Sequence, residues 1–362
     1  MTPQGIRVVA LGGGTGLPAV LRGLKRALPE AGATLTGVVT VTDDGGSSGR
    51  LRRDYKVLPM GDIRNCLVAL SENEPLMSRL FQYRYRGRDG LGGHSVGNLI
   101  LTALSDCCRS YLKAIETSGQ VLAIRGRILP STLENVALRA RLANGRTIRG
   151  ESRISRNGAA IDRITTDPPG PRPAPGVLAA IREADLIVIG PGSLFTSLIP
   201  NLLVRGVARA IARSRAARVL VGNLMTQPGE TDGFSAADHL QALLRIAGAG
   251  LVDYYLANAR PAHPSLRRRY ARQGAMAILP EPGPIRALGV VPLERDLLRE
   301  DFAQRKIRHH EGKLARALLR VAAMHAARAG DPSRSARRRP AARASYNTRR
   351  HEAQSQRRAG HR

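Results

Sequence analysis

The residues best suited to chemistry lie in six polar, glycine-rich segments. The first follows a short apolar run and precedes leucines at helical spacing, so it joins a strand to a helix. Glycines let the backbone approach a ligand closely, and the free N–H groups at the start of a helix attract anions. We predict that this loop binds phosphate or pyrophosphate, and a tight turn that simply requires glycine is the alternative. Its candidate ligand-binding residues are Gly12, Gly13, Gly14, Thr15 and Gly16.

Neither of two common phosphate-binding motifs fits this loop. With Gly12 and Gly14 as the first two glycines of a dinucleotide fingerprint, Leu17 occupies the third position. The second predicted strand does not end in a clear acidic residue, where a carboxylate would bind ribose. A P-loop would end in Lys followed by Ser or Thr, and this loop lacks that ending.

The second segment, Thr42–Arg50, places two adjacent carboxylates directly after the second predicted strand. Such carboxylates can hold a hydrated Mg²⁺ ion or accept hydrogen bonds from ribose or sugar hydroxyls. We favour the metal-free, hydroxyl-binding interpretation, so no cofactor is certain and Mg²⁺ is the alternative. The neighbouring serines and arginine could bind a second anion. The binding candidates are Asp43, Asp44, Ser47, Ser48 and Arg50, and the catalytic candidates are Asp43 and Asp44.

Four further segments lie at strand ends or helix starts: Pro59–Asn65, Gly92–Asn98, Gly190–Ser197 and Asn223–Thr231. Asp62 could simply cap the helix that it begins, which would explain it without a role in function. A histidine at a glycine-flanked helix start, as in the second of these segments, could meet an anion or a hydroxyl. The candidate ligand-binding residues are Arg64, Asn65, His94, Ser95, Asn98, Gly190, Gly192, Ser193, Asn223 and Thr226.

The elements around these segments follow an α/β rhythm, in which β-branched apolar runs alternate with helical spacing. A strand that crosses over through a helix pairs in parallel with the next strand. We therefore predict an α/β, Rossmann-like fold, with a mostly parallel sheet and helices on both faces. The carboxyl ends of parallel strands share one edge, so the loops should converge there. The predicted strands are Ile6–Leu11, Leu35–Thr42, Leu186–Gly190, Arg218–Gly222 and Val252–Ala257; the main predicted helices are Leu17–Leu28, Leu198–Arg213, Ala236–Ala247 and Leu314–Ala327.

Two segments depart from this rhythm. Residues 136–154 alternate apolar and polar side chains around Asn144-Gly145, the strongest short-range signal for a hairpin. We predict a small antiparallel β-hairpin excursion, inserted at about residues 133–165 into an α/β domain of residues 1–330. Residues 331–362 are rich in Arg, Ser, Ala and Pro and are predicted to form a disordered basic tail.

The composition narrows the classes of function. No apolar stretch reaches the ~18 to 20 residues that span a bilayer, so we expect a cytoplasmic protein without membrane insertion. The three cysteines have neither disulfide nor metal-ligand spacing. The formal net charge of +29 attracts anions of every kind. Aromatic residues make up only 3% of the chain and no nucleic-acid-reading motif occurs, so nucleic acid is the least favoured partner.

The motif-bearing segments, taken together, resemble the YvcK family. Its members are called gluconeogenesis factors and are relatives of CofD, the 2-phospho-L-lactate transferase of deazaflavin coenzyme biosynthesis. The resemblance runs in order over residues 6 to about 320. It is carried by GGGTGL at 12–17, VTDDGGSSGRLR at 41–52, GDIRNCLVALS at 61–71, GHSVGNLIL at 93–101, IGPGSLFTSLIPNLLV at 189–204 and NLMTQPGET at 223–231.

The resemblance implies a Rossmann-like fold and the binding of UDP-sugars such as UDP-N-acetylglucosamine. It also implies a role in cell shape and wall metabolism during growth on gluconeogenic carbon sources, with protein partners in cell-wall metabolism. The transferase branch continues its Asp loop into an S-P-D-x-D-T segment, whereas Gly45–Arg52 reads GGSSGRLR. This departure counts against a deazaflavin-linked substrate.

Three functions follow, in decreasing order of support. The first is a regulatory factor that binds a nucleotide sugar without obligatory turnover. The second is a phosphate-dependent transferase of the 2-phospho-L-lactate transferase type, which uses a nucleotide-activated donor. The third is a nucleic-acid-binding protein. The loops are equally suited to bind a ligand or to catalyse its reaction. The sequence leaves open whether a metal is required and whether the chain forms a homo-oligomer.

Overall fold

The computed structural model describes residues 5–30, 32–87 and 90–329. The strands are β1 (Arg7–Gly12), β2 (Thr34–Val39), β3 (Arg127–Pro130), β4 (Ala137–Leu142), β5 (Thr147–Arg149), β6 (Ile161–Asp167), β7 (Leu186–Ile189), β8 (Ala217–Val221), β9 (Tyr254–Asn258), β10 (Val291–Arg295), β11 (Leu298–Asp301) and β12 (Lys306–His309). The helices are α1 (Gly16–Ala27), α2 (Gly46–Tyr55), α3 (Gly61–Leu70), α4 (Glu74–Gln82), α5 (Val96–Cys107), α6 (Tyr111–Val121), α7 (Glu151–Ile154), α8 (Val177–Glu183), α9 (Ile199–Leu202), α10 (Val207–Arg213), α11 (Ala236–Ala247), α12 (Pro264–Arg272), α13 (Pro282–Ala287) and α14 (Glu311–Ala329). A π-helical turn, Leu194–Leu198, precedes α9.

Seven of these strands form one sheet in the order β10-β9-β8-β7-β1-β2-β3, and every neighbouring pair is parallel. The strand order reverses at β1, which pairs with β2 on one side and with β7 on the other. Doubly wound sheets bind their ligands outside the carboxyl ends of the strands at this kind of reversal. The predicted Rossmann-like α/β fold is confirmed, and its switch point lies between β1 and β7.

Alternate side chains of β1 enter different cores, because helices cover both faces of the sheet. Val9 and Leu11 pack in one core with residues of α8, α9, α10 and α11. Val8 and Ala10 pack in the other core, with residues of α1, α3 and α14. Strands buried on both faces need continuous apolar runs, which is why β1 could be predicted from the sequence.

The predicted antiparallel excursion is present, but it is larger than a hairpin. β4 and β5 pair around Asn144-Gly145 as predicted, and β6 adds a third strand on the other side of β4. Glu151–Ile154 form the short helix α7, whereas the alternating pattern predicted extended structure there. Leu138 and Ile164 from the three strands join the core that contains α8 to α11, so the excursion packs on the α/β body.

Several predicted boundaries were wrong. β2 ends at Val39 rather than at Thr42, and the predicted helix Leu198–Arg213 breaks between α9 and α10, where Gly206 has a φ of +82°. β3, β10 and the β11–β12 hairpin were not predicted. The predicted tail lies outside the described residues. In the described ranges no single helix is long and apolar enough to cross a membrane, although one pair bent by 76°, Leu194–Leu202 and Val207–Arg213, has the length and composition to do so together.

Candidate functional site

The two loops at the strand reversal touch each other. Gly12–Gly16 connects β1 to α1, and Gly190–Ser193 connects β7 to the π-helical turn. A Cβ atom on Gly16 would lie 2.0 Å from the Pro191 carbonyl oxygen, so only glycine permits this approach. Gly14 has a φ of +59°, which residues with side chains rarely adopt. The first and fifth glycine-rich segments therefore converge, as predicted for the carboxyl edge of a parallel sheet.

Ser197 lies between these two loops. In the π-helical turn, the Ser193 carbonyl accepts hydrogen bonds from the N–H groups of Ser197 (2.9 Å) and Leu198 (3.0 Å). A Cβ atom on Gly13 would lie 3.5 Å from Ser197 Cβ, and one on Gly14 would lie 3.6 Å from Ser197 Oγ. Turns of this kind often occur at functional sites. Ser197 ends the fifth predicted segment but was not among its binding candidates, because its position depends on the width of this turn.

A cleft of about 870 Å³ opens beside the two loops at the carboxyl edge of the sheet. This volume falls within the usual range for small-molecule sites. Gly12 and Gly190 are at the strand ends and do not line it. The predicted residues that line it are Gly13, Gly14, Thr15, Gly16, Gly192, Ser193, Asn223 and Thr226.

Another wall of the cleft is a basic hairpin that sequence analysis missed. β11 and β12 pair antiparallel, and exposed Arg299, Lys306 and Arg308 line the cleft. Arg22 lines the cleft as well, so four cations face two carboxylates, Asp301 and Glu311, and this excess of positive charge favours anionic ligands. The hairpin packs on a small core of its own, whose buried residues are Leu224, Ala262, Leu266, Leu298 and Ile307.

Asn223 and Thr226 hold the walls of the cleft in place. The Asn223 side-chain amide accepts a hydrogen bond from the Gly192 N–H (3.2 Å) and donates one to the Gly192 carbonyl (2.9 Å). Thr226 donates its N–H to the Met276 carbonyl (2.7 Å), and its hydroxyl accepts from the Met276 N–H (2.8 Å). Both side chains are therefore engaged by the protein, and their contact with a ligand stays a prediction.

The two carboxylates that follow β2, Asp43 and Asp44, accept hydrogen bonds from different segments of the chain. Asp43 Oδ1 accepts a hydrogen bond from the Gly45 N–H (2.9 Å), and Asp44 Oδ1 accepts one from the Ser152 N–H (2.9 Å) in α7. Asp44 thus anchors the antiparallel excursion to this edge of the sheet. Within the described residues, no group of three or more His, Cys, Asp or Glu side chains is placed to hold a metal ion.

Asp62 has a partner that the sequence did not reveal. Met60 occupies the N-cap of α3 and Asp62 does not cap it, so the capping interpretation was wrong. Asp62 Oδ2 instead accepts a hydrogen bond from the Gly14 N–H at 2.7 Å. Burial, assisted by the negative charge of Asp43, raises the pKa of Asp62 to about 6. One N–H of the predicted phosphate loop is therefore already bonded to a carboxylate.

Six predicted candidates form a buried polar network between α2, α3 and the start of α5. At its centre, Asn98 Nδ2 donates to Ser47 Oγ (3.2 Å) and Ser48 Oγ (3.4 Å), while Oδ1 accepts from Arg64 (2.9 Å). Ser47 Oγ also lies 3.1 Å from Nδ1 of His94. Both serines belong to α2 rather than to a loop. The network consists of Ser47, Ser48, Arg64, His94, Ser95 and Asn98.

Two further candidates, Arg50 and Asn65, lie beside this network. Arg50 donates to the Gly92 carbonyl (2.7 Å), and Asn65 Oδ1 accepts from Arg64 (2.9 Å). Arg64 Nε is buried without a hydrogen-bond partner among the residues described. Burial and the nearby charge of Arg84 lower the pKa of Arg64 to about 10. The network ties α2, α3 and α5 together outside the cleft, and its contact with a ligand stays a prediction.

Two carboxylates that were not among the predicted candidates, Glu230 and Glu151, join the loop Asn223–Thr231 to α7. Glu230 is only 5% exposed, and its Oε1 accepts a hydrogen bond from the Thr196 hydroxyl (2.9 Å). The Ser155 hydroxyl lies 3.2 Å from Glu230 and 3.2 Å from Glu151. Burial raises the pKa of both carboxyls, and with the charge of Asp43 that of Glu151 reaches about 7. These contacts connect the π-helical turn, the loop Asn223–Thr231 and the antiparallel excursion.

Comparison with known proteins identifies relatives along nearly the whole described chain. The model of the family described as 2-phospho-L-lactate transferase CofD matches residues 8–298. A gluconeogenesis factor of Halalkalibacterium halodurans is 43% identical over 313 residues, which cover 86% of this chain and 95% of that protein. The gluconeogenesis factor of Bacillus subtilis is 41% identical over 316 residues, 86% of this chain and 97% of that one.

A solved structure supports the same relationship. The crystal structure of a UPF0052 family member from Bacillus halodurans matches this fold with a TM-score of 0.83. The two chains are 42% identical, and the match covers 87% of this chain and 99% of the other.

Proposed function

The chain belongs to the CofD family, with relatives named gluconeogenesis factors, and we propose that it binds a nucleotide sugar of the UDP-N-acetylglucosamine type in the cleft beside β1 and β7. It acts in the cytoplasm as a regulatory factor that links this ligand to cell shape during growth on gluconeogenic carbon sources. The cleft supports the class of ligand, and the name of the relatives supports the metabolic setting.

One observation carries the proposal: the Ser197 side chain lies where the two glycine loops meet. Ser197 uses its backbone atoms in hydrogen bonds within the described structure, and its hydroxyl has no protein partner there. A hydroxyl beside glycine backbone, at the start of helical turns, suits a diphosphate because each donor can reach a different oxygen. We therefore assign the diphosphate to the space between the first loop and Ser197.

The basic hairpin fits the other requirements of a nucleotide sugar. Arg299, Lys306 and Arg308 line the same cleft as the glycine loops and would balance the charge of a diphosphate. A cleft of about 870 Å³ also leaves room for a base and a sugar on either side of the phosphates. The Asp62–Gly14 hydrogen bond limits the number of backbone donors, which increases the importance of Ser197.

Calorimetric titration with UDP-N-acetylglucosamine tests the proposal. We expect Ser197→Ala to weaken binding about tenfold or more, because a hydrogen bond to a charged group contributes about 1.5 to 3 kcal/mol. Ser105→Ala is the matched control, since Ser105 is a partly exposed serine of α5 that does not line the cleft. Unchanged affinity in Ser197→Ala, or no binding by the folded wild type, would contradict the proposal.

Turnover of a nucleotide-activated donor is the second candidate, and the proximity of Asp43 to Asp62 favours it. The charge of Asp43 contributes to the raised pKa of Asp62, and Asp43 Oδ2 would lie 3.0 Å from a Cβ atom on Gly61. Asp43 and Asp62 are the carboxylates that would hold Mg²⁺, which would supply electrostatic stabilisation of phosphate charge. Asp44 fits this role less well, because Ser152 engages its carboxylate.

Titration after EDTA treatment and again with Mg²⁺ separates the two candidates. Metal-free binding by a regulatory factor predicts the same affinity in both conditions. The transferase predicts a gain of about tenfold on adding Mg²⁺, equivalent to about 1.4 kcal/mol, together with a released nucleotide product. Asp62→Asn should then remove the gain, whereas Asp44→Asn should retain it.

A further inference from the structure

The sheet formed by β5, β4 and β6 has one buried face and one basic face. Leu138 and Ala140 of β4 point into the core, and the residues between them and after them are exposed. The period of two in a strand places those exposed residues on the opposite face. The outward face carries Arg139, Arg141, Thr147, Arg149, Arg163 and Thr165.

The strand register places arginines directly opposite one another on this face. Arg139 of β4 pairs with Arg149 of β5, and Arg141 of β4 pairs with Arg163 of β6. Like charges directly opposite each other in a sheet are destabilising. The chain is rich in basic residues throughout, so charge alone would not single out this face. The strand register does single out this face, because it places like charges opposite each other at a cost to the stability of the sheet.

Neighbouring carboxylates neutralise this face only in part. Asp162 accepts a hydrogen bond from Arg141 Nε (2.8 Å), and Asp167 accepts one from Arg149 Nε (2.8 Å). Arg139 and Arg163 form no ion pair with any residue that the structure describes. Each of the two opposed pairs therefore keeps one arginine whose charge is not compensated within the described chain.

The sheet is also held firmly in place by the loops at the carboxyl edge. Asp44 binds the N–H of Ser152 in α7, and Ser155 at the end of α7 reaches Glu230. A surface fixed in this way loses little conformational entropy when it binds a partner. Its arginines are therefore displayed on paired strands that pack on the core rather than on a loop.

We infer that this face docks a partner protein through a surface rich in carboxylates. Arginine forks bind carboxylates in a bidentate geometry, which would relieve the repulsion between the opposed pairs. Single-stranded nucleic acid fits less well, because residues 137–167 contain no aromatic side chain on which bases could stack. A membrane fits less well too, because the outward face carries no large apolar residue.

Fluorescence anisotropy with labelled poly-L-glutamate tests this inference on the full-length chain at physiological salt. The test variant is R139Q/R163Q, and the matched control is R209Q/R213Q. The control removes the same charge from two exposed arginines of α10. We expect about tenfold weaker binding in the test variant and a change of less than about twofold in the control.

Two further measurements complete the test. Because R139Q/R163Q removes opposed like charges, we expect its thermal midpoint to equal or exceed that of the wild type. Equal weakening in both variants would show that overall charge drives binding and would overturn the inference. It would also be overturned if R139Q/R163Q melted lower, or if poly(U) or duplex DNA bound more tightly than poly-L-glutamate and lost affinity in the same variant.

Discussion

Gly16 and Ser197 show how single residues shape the cleft, and why only one of them could be predicted. Gly16 stands out in the sequence because glycine between a strand and a helix indicates a close backbone approach, here to Pro191. Ser197 is one of several serines near a glycine loop, and the π-helical turn decides which of them reaches the first loop. Asp62 was misassigned for a similar reason, since its partner Gly14 is distant along the chain.

At the same scale, Glu151 gives the protein a predictable dependence of stability on pH. Burial, with the charges of Asp43, Asp44 and Glu230, raises the pKa of Glu151 to about 7. A carboxyl whose pKa is raised on folding holds its proton more tightly in the native state. It therefore lowers the free energy of unfolding as pH rises from about 4.5 to about 7.

We predict that Glu151→Gln removes this decrease in the free energy of unfolding at higher pH. Its free energy of unfolding should match that of the wild type near pH 4 and exceed it by about 1 to 2 kcal/mol at pH 8, after discounting for the partial exposure of the side chain. Urea unfolding at both pH values measures the difference. The exposed Glu183→Gln is the control. A variant less stable than the wild type at pH 8 would show that ionised Glu151 stabilises the fold.

At the scale of elements, the sequence predicts those parts of the site whose strands are buried on both faces. β1, β7 and β8 each contain a continuous apolar run that glycine follows, and the parallel sheet then brings their loops to one edge. Asn144-Gly145 likewise identifies the turn between β4 and β5. These signals are local, so a single sequence suffices to read them.

The β11–β12 hairpin lacks such signals, although it supplies the cations of the cleft. Only Leu298 and Ile307 of its two strands are buried, and charged residues occupy most of the other positions. Its small core depends on Leu224 and Leu266, which are far away in the sequence. Alternating burial over so few residues does not distinguish a strand from a polar loop, so the hairpin and its arginines could not be predicted.

At the scale of the whole molecule, the cleft is not the only cavity in the described residues that could hold a ligand. The cleft at the carboxyl edge contains the glycine loops, whereas a second cavity of about 600 Å³ lies at the amino ends of β1, β2 and β3. The second cavity also carries basic residues, namely Arg7, Lys25, Arg125 and Arg127. Positive charge therefore does not show which of the two cavities binds the ligand. The choice of the carboxyl edge depends on the glycine loops, on Ser197 and on the strand reversal between β1 and β7.

Hydrogen exchange followed by mass spectrometry, with and without UDP-N-acetylglucosamine, tests this choice most directly. Exchange reports the protection of backbone N–H groups along the chain, so it locates the ligand without any substitution. We predict that the ligand slows exchange in residues 12–17, 190–198 and 298–309, which surround the cleft, and leaves residues 125–127 at the amino edge unchanged. Slower exchange confined to the amino edge, or no change at saturating ligand, would contradict the account.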